Sequence, residues 1–254
     1  MSAHPRTKNQ PRRRTPHSVS ALALLAGVLL VPAGCGEAQS VPDLEARRSI
    51  MVEEQIEARG VRDPATLAAM REVPRHEFVP LRLRDEAHAD YPLPIGHGQT
   101  ISQPYIVAFM TEALRPQPGE KILEVGAGSG YQAAVLAQMG AEVYTVEIVE
   151  PLADLAGQTL QRLGYKNAQV RHGDGYRGWP EHAPFDAIIV TCAPEKIPPD
   201  LVAQLRDGGR MIIPVGGGLS QELILLRKHG DQIEKQSVLP VRFVPMTGEA
   251  ERVR

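Results

Sequence analysis

The centre of this chain is patterned as short apolar blocks separated by longer runs of helical character. Residues 122–125, 142–146 and 185–191 are such blocks, with turn residues bounding 185–191, and Ala168–His172 reads as a further short strand between the last two. Tyr131–Gln138 between the first two is a continuous apolar run of helical length. Alternation of this kind predicts an α/β domain with a parallel sheet. Upstream, Ile50, Met51, Val52 and Ile56 among Glu and Arg predict a helix over residues 49–59, stopped at Gly60. A second helix is expected over residues 65–71, with Asp63 as N-cap and Pro64 at the first helical position. Residues 73–80 form a proline-bounded connection. Residues 91–105 carry three prolines and two glycines, too many for regular structure, and are expected to be a loop holding side chains over the sheet. An apolar helix follows over residues 105–114, for which Ser102 is a candidate N-cap. His97 has no assignable partner and reads as a neutral turn histidine.

The junction of the first block with the first central helix carries the most specific chemistry. Leu123-Glu-Val-Gly-Ala-Gly-Ser-Gly-Tyr131 runs from strand to helix through glycines at 126, 128 and 130. The next block ends on Glu147, a little over twenty residues after Gly126. Strand, glycine-rich turn, helix, strand and acid is the order of a site where a nucleotide-like ligand crosses the carboxyl ends of parallel strands, with the acid bonding ribose hydroxyls. A dinucleotide fingerprint needs a third glycine where Tyr131 stands, and no phosphate-cradling G-x-x-x-x-G-K-[ST] is present. S-adenosylmethionine, which has no phosphate, fits better. Glu124, Gly126, Gly128, Gly130 and Glu147 are therefore candidate cofactor residues. Gly173-Asp174-Gly175 after the short strand Ala168–His172 adds Asp174 and Gly175, with Asp174 near the adenine; taken alone, Asp174 reads equally as an Asx turn.

Composition removes several alternatives. The net charge of −2 and the lack of a basic run in the body disfavour nucleic-acid binding. Two cysteines, Cys35 and Cys192, and no His/Cys cluster at ligand spacing leave neither a disulfide framework nor a structural zinc site, and no metal is expected. Only 4% of residues are aromatic, so the core must rest on Leu, Val, Ile and Ala. Residues 1–44 read as a signal-like or disordered extension and 45–254 as the single domain. Within the extension, an Arg12–Arg14 run precedes an apolar stretch over 21–31 and then Pro32-Ala-Gly-Cys35. That is the layout of a bacterial export signal with Cys35 as an acylation site, too short to span a bilayer, for which roughly 20 residues are needed. Pro32 stands where such signals usually carry leucine. The alternative is a mis-assigned start, with translation beginning near Met51.

Five segments in fixed order carry a family likeness: Met51-Val-Glu-Glu-Gln-Ile56, Val73-Pro-Arg-His-Glu-Phe-Val79, Gly96-His-Gly-Gln-Thr-Ile-Ser-Gln-Pro104, the glycine loop, and Pro240-Val-Arg-Phe-Val-Pro245. Over about residues 45–250 the chain resembles the protein-L-isoaspartate (D-aspartate) O-methyltransferases. The resemblance implies a three-layer α/β/α sandwich around a Rossmann-like seven-stranded methyltransferase sheet, with N-terminal cover helices. It implies transfer of a methyl group from S-adenosylmethionine to the free carboxyl of isoaspartyl residues in damaged proteins. The family's active-site serine falls on Ser102, with Thr100 and Ile101 as expected substrate contacts. The amino-methyltransferase motif expected after the fourth strand is replaced by Thr191-Cys-Ala-Pro-Glu, which counts against a nitrogen acceptor. A monomer is expected. The cofactor is made in the cytoplasm, which places the active enzyme there; export to the periplasm, with or without a lipid anchor on Cys35, is the alternative, as is an envelope lipoprotein that keeps the fold without turnover.

Overall fold

The computed structural model describes residues 41–218 and 220–253. The export-like stretch, Cys35 and the first forty residues of the expected extension lie outside the described residues.

A helical segment opens the described chain. Helix α1 (Val41–Ile50) continues through a π-helical turn, Met51–Ile56, and a 3-10 turn, Glu57–Arg59, to Gly60, whose φ of +101° ends it in the left-handed region. It thus begins at Val41 rather than at 49. Helix α2 (Pro64–Glu72) starts as expected: the Asp63 carboxylate accepts from Thr66 N at 2.7 Å, with Pro64 in the first turn.

The region expected to be an irregular loop is instead a hairpin. Strands β1 (Leu93–Gly96) and β2 (Gln99–Ile101) pair antiparallel, Leu93 opposite Ile101 and Gly96 opposite Gln99. The two turn residues, His97 and Gly98, both take positive φ (52° and 72°), the geometry that matches the twist of a two-residue hairpin. Leu93 and Ile95 point inward while Pro94 sits outward, and a two-stranded ribbon tolerates a proline because its edges need no donor. The strand signal was hidden by the Pro and Gly content. Helix α3 (Pro104–Leu114) follows, capped by Gln103 with no side-chain cap bond. Ser102 is therefore not the helix cap, and its hydroxyl is not committed to that backbone.

Seven strands form the main sheet: β3 (Lys121–Val125), β4 (Glu142–Glu147), β5 (Ala168–His172), β6 (Phe185–Val190), β7 (Leu205–Gly217), β8 (Ser220–His229) and β9 (Gln232–Val241), in the order β5-β4-β3-β6-β7-β8-β9. The first five are parallel; β8 and β9 return antiparallel as a meander. Helices α4 (Tyr131–Gln138) and α5 (Glu150–Arg162) carry the crossovers from β3 to β4 and from β4 to β5, and the short α6 (Pro199–Ala203) lies between β6 and β7. On α5 the buried residues are Leu152, Ala153, Ala156, Thr159 and Leu160, one helical face; burial of Leu152 and Leu160 contributes roughly 1.5–3 kcal/mol each. All of α4 up to Ala137 is buried, which explains its uninterrupted apolar sequence.

Side chains of β3 alternate between two cores. Ile122 packs with the helices α2 to α5, and Leu123 and Val125 pack with Phe185, Ile188 and Leu201 on the other face. Glu124 points to the helix-covered face, fully buried. The order in which strands are added reverses between the parallel neighbours β3 and β6, whose carboxyl ends form the crevice where open α/β sheets bind ligands.

Candidate active site

The glycine loop leaves β3 at that crevice. Gly126 N donates to Val146 O at 2.8 Å, and Thr191 N, just past β6, donates to Val125 O at 2.9 Å, so the loop is laced to strands on both sides. Gly126 has φ +97°, and a Cβ there would stand 2.5 Å from Thr191 Oγ1. That hydroxyl is held in turn by Gly126 O at 2.7 Å and Val125 O at 3.1 Å. Gly130, at φ +88°, is the N-cap of α4. At Gly175 a Cβ would meet Val125 Cγ1 at 2.4 Å. Two of the candidate glycines are thus required by the protein's own packing as well as by any ligand.

Beside the loop, at the carboxyl ends of the strands, lies a cleft that opens to solvent. Gly126, Gly128, Glu147, Gly175, Thr191 and Cys192 line it, and residues 244–247 close it from the C-terminal side. Glu147 Oε2 accepts from Gly128 N at 2.8 Å and Oε1 from Val149 N at 3.0 Å. Each oxygen keeps a further lone pair, which suits a carboxylate that fixes the loop and also binds ribose hydroxyls. Asp174 is engaged differently. Its Oδ1 accepts from Tyr176 N at 3.0 Å, an Asx-type turn, and its Oδ2 from Glu249 N at 2.8 Å, which anchors the C-terminal segment. It stands behind Gly175 and is not among the residues lining the cleft. Burial, reinforced by the Glu147 and Asp174 carboxylates, pushes the Cys192 thiol up to about 12, so this side chain is no thiolate nucleophile.

Glu124 lines a smaller recess between Ser102, Gly126 and Gln132. Its two oxygens have no hydrogen-bond partner, and burial raises its pKa to about 8 against the opposing influence of the adjacent Thr145 hydroxyl; Glu147 adds to the rise. At neutral pH Glu124 is a protonated acid under the loop.

The hairpin supplies the other half. Thr100 and Ser102 line a wide second cleft together with Tyr105, the end of β9 and the chain that leaves it, Leu239–Val244. Thr100 and Thr191 line both clefts, so the two volumes meet between them. Ile101 is buried and faces the recess with Glu124. One wall of the second cleft is braced: the Arg59 guanidinium lies 3.6 Å over the Tyr105 ring and bonds Asp90 at 3.0 Å, which also accepts from Gln103 at 2.7 Å.

Of the candidate residues, the structure gathers Thr100, Gly126, Gly128, Glu147 and Gly175 around one cleft and Thr100 and Ser102 around its neighbour. Thr191 was noticed in the sequence only for the motif it lacks, yet it stands at the junction. Arg75 lies in a segment that carries the family likeness but is not among the candidate site residues: it is fully buried, its Nη2 donates to Ser102 O at 2.7 Å and its Nε to Ala87 O at 2.7 Å. An arginine in a proline-bounded connection gives no pattern signal for burial, since the residue type is mostly exposed.

A sequence model of the protein-L-isoaspartate(D-aspartate) O-methyltransferase family matches residues 46–251. The chain belongs to this family. Relatives named protein-L-isoaspartate O-methyltransferase include one from Gloeobacter violaceus, 60% identical over 200 residues covering 78% of this chain and 98% of the relative. Another, from Opitutus terrae, is 54% identical over 229 residues, covering 90% and 97%. Among solved structures, a protein-L-isoaspartate O-methyltransferase superposes with TM-score 0.73 at 30% identity over 81% of this chain and 67% of that one. A Plasmodium falciparum structure described with the same activity, in complex with S-adenosyl-L-homocysteine, superposes with TM-score 0.68 at 26% identity over 79% and 98%. The family membership accounts for the seven-stranded sheet and for the glycine loop at its switch point. Among the described residues no helix is long and apolar enough to cross a membrane, and no cluster of three or more His, Cys, Asp or Glu could hold a metal ion.

Proposed function

We propose that the chain methylates the free carboxyl of L-isoaspartyl, and D-aspartyl, residues in damaged proteins and peptides, with S-adenosylmethionine as donor. The observation that carries this reading is the meeting of two clefts at Thr100 and Thr191, one walled by the glycine loop and Glu147, the other by Ser102. Bound in the first cleft, the cofactor supplies an electrophilic methyl on a sulfonium, which departs as a neutral thioether.

Glu147 holds the ribose, and the glycines at 126, 128 and 175 let the backbone come close. Glu124, neutral under the loop, shapes the methionine side without adding a charge, and Gly130 starts the helix that backs the site. Asp174 and Gly175 frame the adenine end, Asp174 through the turn it fixes. On the acceptor side, Ser102 donates its hydroxyl to one carboxylate oxygen and aims the other at the methyl; Thr100 and Ile101 complete that wall. A carboxylate with an ordinary pKa near 4 is already the nucleophile at neutral pH, so no strong base is needed. Orientation and partial stripping of water supply the rate, an effect worth roughly 7–11 kcal/mol in well-aligned reactions. The enzyme acts as a monomer in the cytoplasm, where its cofactor is made.

The test is a pair of peptides identical except for isoaspartate or aspartate at one position, incubated with isotopically labelled cofactor. A base-labile methyl ester on the isoaspartyl peptide alone is the expected outcome. Label on neither peptide, or a base-stable label on nitrogen, would overturn the reading.

A further inference from the structure

We infer that Arg75 is a positioning residue for the transfer step: its buried guanidinium fixes the Ser102 backbone and ties the acceptor hairpin to the helix that follows the glycine loop. The inference rests on the role proposed above for Ser102. Arg75 is fully buried, yet among the described residues no carboxylate pairs with it. A buried cation kept without an anion is costly, and proteins relieve such a cost with hydrogen bonds or neutralise the group. Here Nη2 donates to Ser102 O and Nε to Ala87 O, both at 2.7 Å, Nη1 has no partner among the described residues, and the guanidinium carbon lies 4.7 Å from the centre of the Tyr131 ring. Burial lowers its pKa to about 10, so it remains a cation at neutral pH.

The three contacts come from separate parts of the chain. Ala87 follows the 3-10 turn Leu81–Glu86, Ser102 follows the hairpin, and Tyr131 is the first residue of α4, directly after Gly130. Tyr131 is itself fixed, edge-on to Phe78 at 5.5 Å and with its hydroxyl toward Met70 Sδ at 3.8 Å. Core packing alone would be served at this position by an apolar side chain, with no desolvation cost. What an arginine adds is a rigid fork that holds two carbonyls at once and a flat face that stacks on a ring. Through Ser102 O it fixes the backbone from which the Ser102 hydroxyl projects, and through Tyr131 it references that backbone to the cofactor loop. Ser102 has no cap bond to restrain its hydroxyl, so this backbone anchor sets its place.

The experiment is a double-mutant cycle on the full chain. Arg75→Lys keeps the charge but cannot hold both carbonyls; Arg75→Gln removes the buried charge altogether and serves the same comparison should the lysine variant unfold. Either is expected to bind S-adenosylmethionine within about twofold of the parent, with kcat on an isoaspartyl peptide down roughly 10- to 100-fold, the scale of a misplacement of about 1 Å. In a Ser102→Ala background the same substitution is expected to cost little more, because groups acting as a unit are not additive. Full kcat in the single variant, the same fold-loss in both backgrounds, a loss matched by weakened cofactor binding, or unfolding of both Arg75 variants would each overturn the inference. Ser102→Ala with unchanged kcat would strike instead at the reading of Ser102 on which it stands.

Discussion

The two halves of the site are held by different kinds of interaction. The cofactor side is main chain fixed by main chain: Gly126 N to Val146 O, Thr191 N to Val125 O, Gly128 N to Glu147. Its positions follow from parallel strands and the twist between them. The acceptor side is a two-stranded hairpin, outside the main sheet, whose exit into α3 is pinned by side chains: Arg75 on Ser102 O, Asp90 on Gln103, Arg59 on Tyr105. A sheet-borne site tolerates little change in its backbone. A hairpin-borne site can be adjusted one side chain at a time, which suits the half that must accept varied polypeptides.

The sharpest break in that comparison is expected at Gly126. Gly126→Ala forces a side chain into positive φ and onto a Thr191 hydroxyl that two carbonyls hold in place. Strain of roughly 1–2 kcal/mol and overpacking of roughly 1–3 kcal/mol add, and urea unfolding should read the sum. Gly128→Ala is the internal control: its Cβ would meet only Ile95 Cδ1, at 3.4 Å, so the loss should be smaller. Next comes Glu147→Gln, which turns one of two acceptors into a donor facing a backbone N–H. Calorimetry should find S-adenosylmethionine bound roughly 10- to 100-fold more weakly, the worth of charge-assisted hydrogen bonds, with kcat at saturation changed little.

A subtler effect concerns Glu124. Its pKa is raised from 4.5 to about 8 in the folded state, so the native protein binds the extra proton between those values. Stability from this group is therefore complete below about pH 4.5 and is lost as the pH climbs toward 8, at up to about 1.4 kcal/mol per pH unit. Glu124→Gln, uncharged throughout, should flatten that slope in thermal unfolding measured across pH 5–8, an order-of-magnitude window on the same linkage.

The same contrast explains what the sequence disclosed. Helix α4 and strand β5 fall on the residues expected from pattern, and β4 and β6 differ by one residue at an end; β4 and β6 are legible because strands buried on both faces are written as contiguous apolar blocks, whereas β5, at the sheet edge and half-exposed, is not such a block. The glycine loop was legible since positive φ at 126, 128 and 130 demands glycine in the chain itself. The hairpin was missed because Pro94, Gly96 and Gly98 look like breakers until the positive φ of His97 and Gly98 is known. Strands β7 to β9 gave no clear signal; β9 in particular is exposed or half-buried along its whole length. Ser102 looked like a cap by its distance from an apolar helix, and only the family likeness pointed past that. Arg75 acts across 27 residues to Ser102, a contact that no local pattern records.

The separation of the two halves is tested most directly by titrating S-adenosylmethionine calorimetrically into Ser102→Ala whose turnover on an isoaspartyl peptide has been measured in parallel. The cofactor dissociation constant should stay within about twofold of the parent while kcat falls at least roughly tenfold, the signature of an interaction made in the transition state. Cofactor affinity lost in proportion to turnover, or turnover left intact, would contradict it.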